Sequence, residues 1–224
     1  MIVQLAIACS PSAPEQNRGV VQQDSPAASE LNADTKLIVA FGDSLFAGYQ
    51  LGPQEGFAPV LERALNERGI KAKVVNASVS GDTTAAGLAR LAFALDGLAR
   101  KPDLVIVGLG GNDMLRGLDP GTTRANLEAI LAELKRREIP AMLTGMRTSR
   151  NMGAEYSAQF DRIYPELANQ FDVPLYPFVL EGVIGRRDLL LADGIHPNQS
   201  GVEAIVSQVS PWVARQVASD GKRL

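Results

Sequence analysis

The segment D-L-V-I-V-G-L-G-G-N-D, residues 103–113, begins with an almost continuous apolar run and ends in glycines and polar residues. A short run of this kind is typical of a strand that is buried on both faces, as the strands of parallel sheets are. Comparable runs occur at residues 37–41, 74–77, 141–146 and 173–176. We therefore predict five buried strands, of which the strand at residue 103 is the clearest.

Between these runs, apolar residues recur every three or four positions, as they do on the buried side of a helix. This pattern predicts helices at residues 57–65, 88–98, 127–134, 156–171 and 202–213. Strands and helices thus alternate along the chain. Parallel strands need crossover connections, which helices provide. We therefore expect an α/β fold, a three-layer α/β/α sandwich with a five-stranded parallel sheet.

Polar motifs follow the predicted strands. In parallel sheets, ligands bind beyond the carboxyl ends of the strands, so the residues directly after each strand are candidates for function. Three such motifs are F-G-D-S-L (41–45), N-A-S-V-S-G-D-T (76–83) and L-G-G-N-D (109–113), and D-G-I-H-P-N (193–198) precedes the last predicted helix. We expect all four motifs to meet at one edge of the sheet.

Ser44 and His196 are the candidates for a nucleophile and its base. A serine hydroxyl is a poor nucleophile without a base to accept its proton, and His196 is the only histidine in the chain. Asp193 precedes it closely enough in a tight turn to orient the ring and to stabilise the imidazolium. Asp-Gly and His-Pro are also ordinary turn sequences, so this loop alone does not establish a base.

Three groups are candidates for stabilising a tetrahedral oxyanion, namely the backbone N–H groups of Ser44 and Gly81 and the side-chain amide of Asn112. Gly81 has no side chain to block close approach. Each motif also has a purely structural interpretation, because the segment around Gly81 fits a helix N-cap and Asp43 and Asp113 fit turn or capping residues. The four motifs together are stronger evidence of function than any one of them, because each supplies a different part of one acyl-transfer site.

The composition argues against several other functions. The chain has 224 residues, of which 46% are hydrophobic and 21% charged, as in a single globular domain. Its net charge is −3 and it has no basic tract, which argues against nucleic acid as a partner. One cysteine precludes an internal disulfide, and with a single histidine it leaves few ligands for zinc. We expect no metal and no cofactor.

The motifs F-G-D-S-L, S-G-D-T, G-G-N-D and D-G-I-H-P resemble the four sequence blocks of the GDSL or SGNH hydrolases. Two longer stretches, V-V-N-A-S-V-S-G-D-T-T-A-A-G-L-A-R-L and I-Y-P-E-L-A-N-Q-F-D-V-P-L-Y-P-F, are similar to a bacterial subgroup of multifunctional thioesterases, lysophospholipases and arylesterases. The resemblance extends from about Lys36 to Ala214. It assigns the family's named residues to Ser44, Gly81, Asn112 and His196, with Asp193 as the acidic partner.

This resemblance implies a flavodoxin-like fold and a metal-free serine hydrolase that forms an acyl-enzyme on Ser44. Its substrates would be small-molecule or lipid acyl esters or thioesters, cleaved by arylesterase, acyl-CoA thioesterase or lysophospholipase activity. Carbohydrate O-deacetylation is the alternative within the family. The family also implies a mobile loop, here residues 114–120, in which Leu115 and Leu118 are expected to line the acyl channel. Both leucines fit plain core contacts equally well.

The sequence lacks the motifs that are typical of other classes of protein. Neither Ser44 nor Ser80 lies in the G-x-S-x-G motif of the larger α/β-hydrolase family. One histidine is too few for the mixed His/Asp two-metal site of a phosphoesterase. The sequence G-L-G-G-N-D does not match the G-x-G-x-x-G motif of a nucleotide-binding module. An inactive ligand-binding homologue would be expected to lack Ser44 or His196.

The N-terminal region differs in composition from the rest of the chain. Residues 1–9 form a short apolar run that ends in Cys9, which resembles the end of a bacterial lipoprotein signal and predicts a lipid anchor on that cysteine. Residues 10–35 are rich in Ser, Pro, Ala, Gln and Asp, so we expect a disordered tether there. The hydrolase domain is predicted at residues 36–218, in the periplasm or associated with the cell envelope. The alternative is a cytoplasmic protein with a frayed N-terminus, in which Cys9 has no function.

Overall fold

The computed structural model describes residue 32, residues 34–149 and residues 151–218. The predicted signal at residues 1–9 and nearly all of the predicted tether at residues 10–35 lie outside the described residues. None of the described helices is both long and apolar enough to span a bilayer.

The central sheet is the five-stranded parallel sheet expected from the sequence. Its strands are β1 Lys36–Gly42, β2 Ala72–Asn76, β3 Leu104–Gly108, β4 Ala141–Thr144 and β5 Leu175–Tyr176. Their spatial order is β2-β1-β3-β4-β5, with every neighbouring pair parallel. Residues 37–41 of β1 and 104–107 of β3 are almost completely buried, because these central strands are covered on both faces. The predicted fold class is therefore confirmed.

Helices cover both faces of the sheet. Within the described residues they are α1 Ser44–Ala47, α2 Phe57–Glu67, α3 Thr84–Asp96, α4 Gly111–Leu115, α5 Pro120–Arg136, α6 Ala154–Asp161, α7 Ile163–Phe171 and α8 Gln199–Ala218, with a 3₁₀ turn at Arg187–Leu189. Helix α2 packs against α8, while α3, α5 and α7 pack side by side. These two groups form the outer layers of the sandwich.

The helix predicted at residues 156–171 is in fact two helices, α6 and α7, separated at Arg162. The reason is Pro165, which has no N–H to donate to the carbonyl of Asp161 and whose ring would clash with that carbonyl in a continuous helix. Two short helices, α1 and α4, were not predicted from the periodicity. Each occupies about one turn directly after a strand, which is too short to produce a helical pattern.

Two glycines allow close approach at the carboxyl edge of the sheet. Gly42 lies opposite Gly108 at the end of β1, and a Cβ on Gly42 would lie 2.6 Å from the Gly108 carbonyl oxygen. Gly110 has a positive φ of 111°, and a Cβ there would lie 2.1 Å from the hydroxyl of Tyr164. These positions therefore require glycine, and they allow the chain to turn sharply into α1 and α4.

Candidate active site

Ser44 is the first residue of α1 and directly follows β1 in the turn G-D-S. Asp43 caps this short helix, because its side chain accepts a hydrogen bond from the N–H of Leu45 at 3.1 Å. Gly48, with a φ of 80°, ends the helix in the left-handed conformation. Ser44 is thus held at a sharp strand-to-helix turn on the carboxyl edge of the sheet.

The structure brings Ser44, His196 and Asp193 into one hydrogen-bonded row. The Ser44 Oγ lies 2.8 Å from the His196 Nε2, and the His196 Nδ1 lies 2.7 Å from the Asp193 Oδ2. Ser44 and His196 are separated by 152 positions in the chain, so only the fold brings them into contact. The row is the geometry that a serine nucleophile, a general base and an orienting carboxylate require.

Asp193 is held as an anion by its own loop. Its Oδ1 accepts hydrogen bonds from the backbone N–H groups of Ile195 at 2.9 Å and His196 at 3.0 Å. These two N–H groups, together with the His196 ring, lower the pKa of Asp193 to about 2. The loop is fixed in turn by a hydrogen bond from the N–H of Leu191 to the carbonyl of His196. Asp193 can therefore orient the imidazole throughout the neutral pH range.

The three predicted oxyanion donors lie on loops that hydrogen bonds join together. Among the described residues, no acceptor is found for the backbone N–H of Ser44 or of Gly81. Gly81 adopts a positive φ of 87° in a turn closed by the bond from Asp82 N–H to the Val79 carbonyl. Asn112 donates one amide hydrogen to the Asp82 carbonyl at 2.9 Å, which leaves its second amide hydrogen for another acceptor.

Leu115 and Leu118, expected in the acyl channel or in the core, are not in the core. Leu115 ends α4 and its side chain is 56% exposed, while Leu118 is 37% exposed. The carbonyl of Leu118 accepts a hydrogen bond from the hydroxyl of Tyr156 at 3.0 Å, and its N–H donates to the Asp113 carbonyl. The segment after Asn112 therefore presents two apolar side chains to solvent.

Other exposed apolar side chains lie on the segments that carry the site residues. Tyr49, Val79 and Ile195 are all more than a third exposed. The Tyr49 ring lies 4.4 Å from the His196 ring, measured between centroids, at an interplanar angle of 37°. Tyr49 does not belong to any of the four motifs. Its signal was an aromatic residue soon after Ser44 in a loop that contains glycines.

Buried carboxylates lie beneath the site. Asp43 is only 2% exposed, and burial raises its pKa to about 6, with further increases from Asp113 and Asp82. The N–H of Leu45 and the positive charge of His196 oppose this increase. Both structural interpretations from the sequence apply, since Asp43 caps α1 and Asp113 binds the start of α3.

Asp113 and Thr83 both bind backbone N–H groups at the N-terminal end of α3. Asp113 accepts hydrogen bonds from the N–H of Thr84 at 2.8 Å and from its hydroxyl. Thr83 is the N-cap residue, and its side chain accepts from the N–H of Ala86 at 3.3 Å. The polar residues after Gly81 therefore hold the start of α3 against α4.

A Ser–His–Asp row at the carboxyl edge of a parallel α/β/α sandwich defines a class, the hydrolases that act on acyl groups. The model of the GDSL-like lipase/acylhydrolase family matches residues 40–204, and the chain belongs to this family. It is a hydrolase that acts on esters.

Individual relatives agree with the family match. The arylesterase of Vibrio mimicus is 40% identical over 188 residues, covering 84% of this chain and 88% of the relative. Thioesterase 1/protease 1/lysophospholipase L1 of Escherichia coli strain K12 is 41% identical over 185 residues, covering 83% and 84%. The crystal structure of AlinE4, an SGNH-hydrolase family esterase, is 52% identical and superposes with a TM-score of 0.71, covering 84% of this chain and 100% of that chain.

Proposed function

We propose that this protein hydrolyses carboxylic esters and acyl thioesters through an acyl-enzyme on Ser44. The observation that carries the proposal is the unbroken row from the Ser44 Oγ through His196 to Asp193, with distances of 2.8 Å and 2.7 Å. Relatives named arylesterase and thioesterase support both ester and thioester substrates.

In the acylation step, the Ser44 Oγ attacks the substrate carbonyl carbon while the His196 Nε2 accepts its proton. The Asp193 carboxylate accepts the hydrogen bond from Nδ1–H, which selects the tautomer with a free Nε2 and stabilises the imidazolium that forms. The carbonyl oxygen becomes an oxyanion, which receives hydrogen bonds from the N–H groups of Ser44 and Gly81 and from the free amide hydrogen of Asn112.

Collapse of the tetrahedral intermediate breaks the bond to the alcohol or thiol, which takes its proton from the His196 Nε2. The leaving group must therefore lie next to the imidazole, where the Tyr49 ring provides an exposed aromatic surface. A water molecule then attacks the acyl-enzyme with His196 again as base, and this step releases the carboxylic acid and restores Ser44.

The surroundings of the site favour an acyl chain over a sugar. Leu115 and Leu118 lie within six residues after Asn112 and expose apolar side chains, which can bury methylene groups of the substrate. We assign these two leucines to acyl binding. Deacetylation of a carbohydrate would instead need polar groups to bind the sugar hydroxyls beside the acetyl group.

The test combines a covalent probe with a substrate panel. A fluorophosphonate should label Ser44 stoichiometrically, and Ser44→Ala should remove both labelling and hydrolysis of aryl esters and acyl thioesters. Ser207→Ala is the matched control, because Ser207 lies on α8 with its hydroxyl bonded to the Ala204 carbonyl. An adduct on another residue, or an active Ser44→Ala protein, would contradict the assignment.

We also propose that the chain is exported and acylated on Cys9. The support is the apolar run that ends at this cysteine and the polar composition of residues 10–35. Metabolic labelling of expressing cells with a fatty-acid analogue should modify the full-length protein and not its Cys9→Ser variant. Recovery of unmodified protein from the cytoplasm would refute the proposal.

A further inference from the structure

We infer that Arg90 is a positioning residue that fixes the positions of the three oxyanion donors relative to one another. The inference rests on the proposed function. Arg90 lies on α3, and its side chain is 21% exposed. It was not identified from the sequence, although it is the only basic residue in the largely apolar helix T-A-A-G-L-A-R-L-A-F-A-L-D.

The Arg90 guanidinium binds three residues on two segments of the chain, the end of β1 and the loop of residues 77–83 that carries Gly81. Its Nε donates to the Asp82 Oδ2 at 2.5 Å. Its Nη1 donates to the Ala77 carbonyl at 2.5 Å, and its Nη2 donates to the Gly42 carbonyl at 3.1 Å. The carbon at the centre of the guanidinium also lies 4.3 Å from the centroid of the Phe41 ring, a cation–π contact that helps to fix its plane.

Each of these contacts fixes a segment that carries an oxyanion donor. The Gly42 carbonyl lies two residues before Ser44 and also accepts the N–H of Val79 at 3.0 Å, which joins the end of β1 to the Gly81 loop. Ala77 lies at the start of the same loop, where its N–H donates to the Ala40 carbonyl. Arg90 therefore binds both the Ser44 turn and the first part of the Gly81 loop.

The third contact reaches the remaining two donors. Asp82 directly follows Gly81, and its carbonyl accepts the hydrogen bond from the Asn112 side chain at 2.9 Å. The Asp82 side chain is mostly buried, and its ion pair with Arg90 stabilises this position. One guanidinium thus connects the backbone of Ser44 with that of Gly81, and through Asp82 it determines where the Asn112 amide lies.

Arginine suits this role because of its shape. Its planar fork presents five N–H donors in fixed directions, so acceptors on the end of β1 and at both ends of the Gly81 loop can be held at once. A lysine at residue 90 would keep the positive charge near Asp82 but could not satisfy both carbonyls in the same geometry. Oxyanion donors need alignment within about 0.5 Å to be effective, so a small shift of these loops would slow the reaction.

The test measures the transition-state complex separately from ground-state binding. In Arg90→Lys, kcat on an aryl ester should fall by about 10–100-fold, while KM changes much less. This fall is no larger than the one expected when a whole oxyanion donor is removed. An arylboronic acid, whose boron forms a tetrahedral adduct with Ser44, should bind more weakly by a similar factor. Binding of the product carboxylate should stay close to that of the wild-type protein.

Arg100→Lys is the matched control. Arg100 makes an analogous ion pair with Asp103 at 2.8 Å and binds the Thr35 carbonyl, but it lies at the opposite edge of the sheet, where β1 and β3 begin. Its replacement should lower Tm without changing kcat or boronate affinity. In Arg90→Ala, added guanidinium ion at sub-denaturing concentration should restore part of kcat, because the emptied site is partly open to solvent.

The outcomes are distinct. Wild-type kcat and boronate affinity in Arg90→Lys would overturn the inference, as would an equal weakening of boronate and product binding, which would indicate general damage. If Arg90→Lys does not fold, Asp82→Asn serves in its place and should show the same selective loss of kcat and boronate affinity. An active Ser44→Ala protein would instead overturn the proposed function itself.

Discussion

Replacement of the buried Asp43 by asparagine should stabilise the protein at neutral pH. Burial, with Asp113 and Asp82 nearby, raises the pKa of Asp43 from 3.8 to about 6. The folded protein therefore binds the Asp43 proton more tightly than the unfolded chain does. Folding stability from this group is highest below pH 3.8 and is lost as the pH rises to about 6.

The size of the effect follows from that shift in pKa. One pKa unit corresponds to about 1.4 kcal/mol, so an ionised Asp43 costs about 3 kcal/mol of folding free energy at pH 8. Asparagine removes this cost, and its oxygen can still accept the N–H of Leu45, since asparagine caps helices as well as aspartate does. For a domain of this size, Tm should increase by roughly 6–12 °C.

Urea denaturation of both proteins at pH 4 and pH 8 measures the effect. We expect Asp43→Asn to be more stable than the wild type at pH 8 and nearly equal to it at pH 4. Asp113→Asn is the control and should destabilise the protein, since Asp113 accepts hydrogen bonds from both the N–H and the hydroxyl of Thr84. A gain that is absent at pH 8, or equal at both pH values, would refute this reasoning.

Three further predictions concern the site and the tail. Asn112→Ala should lower kcat by about 10²–10³-fold with little change in KM, and a large increase in KM with kcat intact would mean that Asn112 binds substrate instead. His196→Ala should remove nearly all activity while leaving the fold intact, because Ser44 then has no base to accept its proton, and substantial residual activity would point to another base. A nonspecific protease should remove residues 10–35 and leave a fully active domain, so loss of activity on trimming would disprove the tether.

Much of the architecture could be predicted from the sequence because its signals are local. The run at residues 104–108 is apolar at nearly every position, which identifies a strand buried on both faces whatever surrounds it. Such runs alternate with segments of helical periodicity, and this alternation predicts a parallel sheet because parallel strands need crossover helices. The position of Ser44, Gly81 and Asn112 after successive strands then places them at one edge. Family resemblance independently selected the same residues.

Local patterns were less informative about short elements and boundaries. The apolar spacing at residues 156–171 continues across Arg162, so periodicity alone predicted one helix where Pro165 divides two. Helix α1 depends on its Asp43 cap, and α4 depends on the left-handed turn at Gly110 that follows β3.

The sequence by itself determined the order of strands and helices and the four motifs, because each is encoded in neighbouring residues. Only the tertiary structure decided that Arg90 connects Gly42 with Asp82, that Tyr49 packs on His196, and that Asp43 is buried. Arg90 and Gly42 are 48 positions apart, and Tyr49 and His196 lie on segments near opposite ends of the domain. Such contacts depend on the directions of side chains that converge from distant segments of the chain. Hydrophobic periodicity reports only which face of an element is buried, so it contains no information about these contacts.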